Sequence, residues 1–223
     1  METYNRTHFW VLVSHEVDGV EGALLNMAAI RDYETIIPIH RPDLKEKLFF
    51  FISGMVMSIP FAVYAETLTK QLCYVMPLLY ARLCATALLT PFIEELAKAY
   101  PLFYRHGETE RSILTLGFLG GLGYGITELL IHVLQLGATI DIARLTLIFL
   151  HAANTSIIAY GIAKNRPFLL YLVAVALHSI NNIAAIFGLL WLVSGYPLLL
   201  VTFLIEWYLY RRTSDIFIKQ KSH

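Results

Sequence analysis

Long apolar stretches with short polar connectors between them occupy most of this chain, from Phe49 to Tyr210. Each stretch is about 18 residues or longer, the length with which a helix crosses a hydrocarbon core of about 30 Å. The pattern predicts helices over residues 48–65, 72–104, 112–136, 142–163, 167–187 and 189–210. We therefore expect an all-α, polytopic transmembrane bundle of about six helices.

The chain divides into three parts of different polarity. Residues 1–46 are mixed in character and are predicted to be an N-terminal cytoplasmic or interfacial segment, in which the stretch from Gly19 to Arg31 has the pattern of an amphipathic surface helix. Residues 47–212 form the predicted membrane domain, and residues 213–223 form a cytoplasmic tail.

The composition indicates that membrane lipid surrounds the chain. Hydrophobic residues make up 57% and charged residues 15% of the sequence, against about 45–50% and about 25% in soluble domains. The formal net charge is zero, which gives no reason to expect a nucleic-acid partner.

The two cysteines, Cys73 and Cys84, lie eleven residues apart in the predicted helix over residues 72–104. In one helix they would be separated by about 16 Å along the axis, which is too far for a disulfide. We expect both to be buried as small apolar residues. Nothing in the pattern indicates an oxidising compartment.

Basic residues are concentrated in the flanks and connectors on one side of the predicted bundle. Because positive residues in short loops stay in the cytoplasm, both termini are predicted to be cytoplasmic. The opposite side holds Lys70 and Arg144. The predicted cytoplasmic side holds Arg31, Arg41, Lys45, Lys47, Arg105, Arg111, Lys164, Arg166, Arg211, Arg212, Lys219 and Lys221.

Ionisable side chains fall inside several predicted helices, although a charge at mid-membrane costs about 2.5 to 3.5 kcal/mol. Counted from the cytoplasmic helix ends, four of them on four different helices lie about 15 to 24 Å deep. They therefore share one layer, which predicts a functional site within the membrane. The four are Glu94, Glu128, His151 and His178, and Glu95 and Lys98 accompany Glu94.

Helical phase, at about 100° per residue, places these groups on inward faces. Glu94 and Glu95 diverge by about 100°, so one can face a reaction centre while the other pairs with Lys98. Pro91 is expected to kink the helix just before them. The other two inward faces consist of His151, Asn154 and Thr155 on the fourth helix, and of Tyr171, His178, Asn181 and Asn182 on the fifth.

A GxxxGxxxG stripe on the third predicted helix runs through Gly117, Gly121 and Gly125. Small residues at this spacing let a neighbouring backbone approach closely in lipid. Glu128 continues the stripe, so we expect close packing to bring this carboxylate inward.

Four short motifs follow one another in this region and resemble the PrsW family of intramembrane proteases over residues 90–185. That family is distantly related to the CAAX prenyl endopeptidases and bacteriocin-processing membrane proteases. The wider group has histidine where this chain has Glu128, a departure that favours the PrsW family. The motifs are Glu94-Glu95-x-x-Lys98, Gly121-Leu-Gly-Tyr-Gly-Ile-Thr-Glu128, His151-Ala-Ala-Asn154 and His178-Ser-Ile-Asn-Asn182.

The resemblance implies an intramembrane endopeptidase in the plasma membrane of a prokaryote. It implies a single-span membrane protein as the substrate, such as an anti-sigma factor, cleaved in regulated proteolysis. It also implies that Glu94 or Glu95 is the water-activating base, and that His178 with Asn182 stabilises the oxyanion.

Two catalytic versions stay open. In the first, no cofactor is needed, because Glu94 takes a proton from water and His151 assists or protonates the leaving amine. In the second, zinc is held between His151, His178 and a carboxylate, with Glu95 as the candidate, and activates the water. Glu128 belongs to the catalytic set in both.

Two functions of other classes also stay open. A proton- or ion-coupled transporter uses intramembrane Glu, His and Lys, but would string polar residues through the whole membrane depth. A noncatalytic membrane scaffold with a protease-like core would keep its activity when Glu94 or Glu95 is replaced by Gln.

Overall fold

A computed structural model of the protein describes residues 41–104, 109–135, 137–189 and 196–215. The described part is an all-α bundle of six helices, as predicted. The expected amphipathic helix from Gly19 to Arg31 lies outside the described residues, and so does most of the predicted tail.

The six helices are interrupted at two places by π-helical turns. Helix α1 contains the π-helical segment Gly54–Ser58, and α2 covers residues 78–99 with the π-helical segment Leu83–Leu89 inside it. Helices α1, α3, α4 and α5 are long and apolar enough to cross a membrane. The bounds are Leu44–Leu72 for α1, Glu110–Leu134 for α3, Ile142–Ala163 for α4, Pro167–Ile186 for α5 and Tyr196–Arg212 for α6.

Side-chain caps fix where three of these helices begin. The Asp43 carboxylate accepts from the N–H of Glu46 at 2.8 Å before α1, and the Thr109 hydroxyl accepts from the N–H of Ser112 at 3.2 Å before α3. Asp141 accepts from the N–H of Arg144 at 2.9 Å and starts α4. Each cap satisfies a backbone donor that has no partner within its helix.

Helix α3 packs closely between α1 and α4 through glycines on two faces. A Cβ atom added to Gly121 would lie 2.4 Å from the carbonyl oxygen of His151, and one added to Gly123 would lie 2.1 Å from that of Phe51. The prediction that the glycine stripe admits a neighbouring backbone is confirmed, and the neighbour is α4. This packing fixes the depth of Glu128 relative to His151.

The predicted helix over residues 72–104 is wrong at its start. The chain turns at residues 73–77, and α2 begins after Pro77. Because Cys73 lies at the start of this turn, it comes beside Cys84, with 5.7 Å between the Cα atoms, and the two form a disulfide. The expectation that these cysteines do not pair is therefore wrong.

The predicted irregularity at Pro91 is present as the π-helical segment just before it. The N–H of Thr90 bonds to the carbonyl of Ala85, five residues back. Pro91 has no N–H with which to continue this register to the carbonyl of Thr86. Instead, the side-chain amide of Asn182 on α5 donates to that carbonyl at 2.9 Å. The break in α2 is thus stabilised by a residue of the neighbouring helix.

Candidate active site

The ionisable side chains singled out from the sequence meet inside the bundle. Helix α2 provides three of them, and α3, α4 and α5 provide one each. Although the site lies among apolar helices, most of its polar groups are almost completely inaccessible. The exposed fractions are 7% for Glu94, 0% for Glu95, 1% for Lys98, 2% for His151 and 4% for His178.

Glu95 is the centre of the hydrogen-bond network. Its Oε1 atom accepts from Lys98 Nζ at 2.6 Å, from His178 Nδ1 at 2.8 Å and from Asn154 Nδ2 at 3.2 Å. These three donors come from three different helices. Glu95 therefore holds α2, α4 and α5 together, and a carboxylate so engaged is poorly placed to act on a substrate.

Glu94 lies on the other side of the network, beside the second ring nitrogen of His178. Its Oε2 atom is 3.8 Å from His178 Nε2, too far for a direct hydrogen bond. This buried oxygen has no hydrogen-bond partner among the described residues. Because His178 Nδ1 donates to Glu95, a neutral His178 presents the lone pair of Nε2 toward Glu94.

His151 is held at both ring nitrogens. Lys98 Nζ lies 2.8 Å from Nδ1, and Glu128 Oε2 lies 2.5 Å from Nε2. An ammonium group donates to Nδ1, so a neutral His151 carries its proton on Nε2 and donates it to Glu128. The ring packs against His178 and Tyr124, with centroids 5.2 Å and 5.3 Å away.

A cavity of 410 Å³ leads to this site. Its inner part is lined by Glu94, Glu128, His178, Asn181 and Asn182. Its outer part is lined by Glu66, Lys70, His132, Asp141 and Arg144. The outer residues belong to the end of the bundle where α1 finishes and α4 begins, called the disulfide end below because Cys73 lies there.

Sequence reasoning did not single out His132, Arg144 or Thr86. His132 Nε2 lies 3.6 Å from Glu128 Oε1, one helical turn along α3. A signal for it was present, because residues four apart on a helix share a face. The contact of Asn182 with Thr86 had no comparable signal, since it depends on how α5 docks on α2.

Three side chains are arranged as a cation site would be. Glu94, His151 and His178 each offer one donor atom, and these atoms lie within 4.8 Å of one another. Two histidines and one carboxylate form a common ligand set of catalytic zinc. The carboxylate in this set is Glu94, whereas the sequence hypothesis had Glu95, whose Oε1 is already occupied by three donors.

The two histidines differ in how ready they are to bind a cation. His178 donates its Nδ1 proton to a carboxylate, which is the usual second contact of a metal-bound histidine. His151 donates from Nε2 to Glu128, so this proton has to pass to the Glu128 carboxylate before that nitrogen can bind. Loss of protons on metal binding is general for protein ligands. With that change, the donor set fits zinc.

The bundle buries two histidines and two carboxylates beside a cavity, and the partly exposed Glu128 lines that cavity, an arrangement that fits an intramembrane hydrolase. The chain matches the family described as PrsW family intramembrane metalloprotease over residues 44–209, which is more than half of its length. It belongs to that family, and it is an intramembrane protease. No curated protein and no solved structure matches it.

Proposed function

We propose that the protein hydrolyses a peptide bond of a single-span membrane protein, with zinc held by Glu94, His151 and His178. The observation that carries the zinc version is the buried cluster of three donors within 4.8 Å, in which Glu94 Oε2 has no partner among the described residues. Regulated proteolysis of an anti-sigma-factor-like protein is the process that we infer from the family.

The charges of the site also favour a divalent cation. The site contains three carboxylates, Glu94, Glu95 and Glu128, but only one ammonium group, Lys98. With the carboxylates ionised and both histidines neutral, two negative charges remain unbalanced in an environment where unpaired charge is costly. A doubly charged cation would balance them.

Bound zinc would acidify a water molecule and polarise the substrate carbonyl. The other residues have separate tasks. Glu128 lines the cavity, and its Oε2 atom lies 2.5 Å from His151 Nε2, close to where zinc would be held, so it can carry a proton from the attacking water to the leaving amine. Glu95 and Lys98 keep the two imidazoles oriented. Asn182 uses one N–H on Thr86 and retains a second for the oxyanion.

We infer that the cavity opens to the non-cytoplasmic side. The disulfide end carries the few basic residues opposite the predicted cytoplasmic side. The Cys73–Cys84 disulfide at this end is what an oxidising compartment supports. Both arguments give the same orientation, with cytoplasmic termini, and they allow water to enter from outside the cell.

The decisive experiment combines cleavage with metal analysis. Purified protein is incubated with a single-span substrate, and zinc is measured in wild type and in Glu94→Gln and His178→Ala. We expect about one zinc per chain, chelator-sensitive cleavage, and loss of both metal and cleavage in the variants. Full activity in a metal-free sample selects the version with Glu94 as the base. Absence of cleavage, with ion flux or scaffolding retained in Glu94→Gln, contradicts the assignment of peptide hydrolysis.

A further inference from the structure

Arg144 lies at the outer part of the cavity, in line with the candidate active site. It precedes His151 by seven residues on α4, which corresponds to about 10 Å along the helix and a rotation of only about 20°. Arg144 and the intervening Leu147 both line the cavity. A chain that extends from the active site toward the disulfide end therefore passes the guanidinium group.

The guanidinium group has donors that its neighbours leave unused. Its Nε atom is buried without a hydrogen-bond partner in the described part of the chain and lies 4.0 Å from Asp141. One terminal nitrogen makes a long contact of 3.4 Å with His132 Nδ1. The other basic residue of the cavity, Lys70, is already paired with Glu66. Arg144 is thus the basic group of the described cavity wall with the most free binding capacity.

Helix stability does not explain an arginine at this position. Arg144 stands in the first turn of α4, where the helix dipole favours negative rather than positive charge. Its pair with Asp141 has one partly exposed and one half-exposed side chain, with exposed fractions of 34% and 53%. Such pairs contribute little to stability. A role toward a bound molecule accounts for the placement better.

We infer that Arg144 determines substrate specificity by binding an acidic side chain of the substrate close to the scissile bond. An extended peptide rises about 3.3 Å per residue, so about 10 Å corresponds to roughly three residues. The acidic residue is therefore expected two to four positions from the cleaved bond. Arginine suits this task because its planar fork binds a carboxylate through two parallel hydrogen bonds. The inference rests on the proposed peptide hydrolysis at the cluster of Glu94, His151 and His178.

The test compares substrates that differ in one charge. The cleaved bond of a single-span reporter is mapped by mass spectrometry, and Asp or Asn is placed at each of the first five positions on both sides of it. Wild type is expected to prefer Asp over Asn by about tenfold in kcat/KM at one position two to four residues away. This measurement needs no variant. A wild type without such a position-dependent preference overturns the inference.

Variants then assign the preference to Arg144. The ratio of kcat/KM for the Asp substrate to that for the Asn substrate does not depend on any general loss of activity. This ratio should fall to about one in Arg144→Gln. Arg144→Glu should prefer Lys at the same substrate position. Lys70→Gln is the matched control within the cavity and should keep the wild-type ratio, as should Asp141→Asn. An unchanged ratio in Arg144→Gln overturns the inference, and so does an equal change in Asp141→Asn. A wild type that cleaves none of the substrates contradicts the proposed function instead.

Discussion

Glu94 and Glu95 are neighbours in the sequence but belong to two different regions of the site. Around Glu95, donors from three helices converge on one carboxylate oxygen. Around Glu94, a carboxylate oxygen lies buried against the cavity without a hydrogen-bond partner in the described residues. The rotation of about 100° between consecutive residues of a helix is enough to direct Glu95 toward the neighbouring helices and Glu94 toward the cavity, where it can take part in the reaction.

Replacing Glu94, which belongs to the reactive region, should reduce cleavage more than any other change considered below. Glu94→Gln keeps the shape of the side chain but removes a donor to zinc, and we expect cleavage to fall by about a thousandfold or more, since metal-ligand activation supplies several kcal/mol to the reaction. The melting temperatures of the variant and of wild type should be close when both are measured without zinc, because bound metal itself stabilises the folded state. The control is Glu206→Gln, which changes a partly buried carboxyl on α6 that does not line the cavity, and the cleavage rate of this variant should be retained. An equal loss of cleavage in both variants would show that Glu94 matters no more for the reaction than a carboxyl outside the cavity.

A change in the organising region, around Glu95, should instead reduce the stability of the protein. Lys98→Met leaves Glu95 as an uncompensated buried charge, and we expect a loss of about 3 to 5 kcal/mol in the free energy of unfolding. Lys164→Met removes one partner of a 2.5 Å pair with Glu110 that is partly exposed, so about 1 kcal/mol or less should be lost. Denaturant unfolding in detergent measures both. Similar values for the two variants would show that Glu95 is not the organising centre.

The disulfide should contribute an intermediate amount of stability without taking part in the reaction. It closes a loop of about a dozen residues, so Cys73→Ser with Cys84→Ser should cost about 3 kcal/mol in the free energy of unfolding. Cleavage below the melting temperature should persist. In wild type, a maleimide probe should label neither cysteine until a reductant is added. Labelling without reductant would contradict the pairing, and with it one of the two arguments for the orientation.

Replacing Asn182 should have a smaller effect, and this effect should appear in both stability and cleavage. Asn182→Leu removes the donor to the carbonyl of Thr86, and we expect a loss of about 1 kcal/mol in stability together with reduced cleavage, because the side chain also lines the cavity. Tyr171→Phe removes another hydrogen bond between α5 and α2, from the hydroxyl to the carbonyl of Phe92 at 2.7 Å. It should cost a similar amount of stability with little change in cleavage. If both variants cleave alike, Asn182 only joins the helices.

The sequence predicts the bundle well because apolar length and glycine spacing are local signals. The glycine stripe indicated the close contact of α3 with a neighbour, and the shared depth of Glu94, Glu128, His151 and His178 indicated one layer. The break at residues 73–77 was missed, although Pro77 marks it, because the apolar run continues across it. The disulfide was missed for the same reason.

The partners within the layer were beyond sequence reasoning. Helical phase shows that Glu94 and Glu95 diverge, but the rotation of α2 in the bundle decides which of them meets Lys98 and which meets the cavity. The same limit applies to Arg144, whose long side chain reaches the cavity only because of how α3 and α4 pack. The catalytic roles of Glu94, Glu95, Glu128, His151, His178 and Asn182 stay predictions.

The glycine contacts of α3 have a consequence for how a substrate enters. Gly121 and Gly123 bring α3 into backbone contact with α4 and α1, and Gly161 brings α4 close to the start of α5 in the same way. At the site, α2 is instead joined to α4 and α5 through side chains, by the contacts of Glu95 with Asn154, of Lys98 with His151 and of Asn182 with Thr86. A substrate that enters between the helices would therefore displace α2 more easily than the others. Glu94 would then move away from His151 and His178, so the three donors would come together again only when α2 returns.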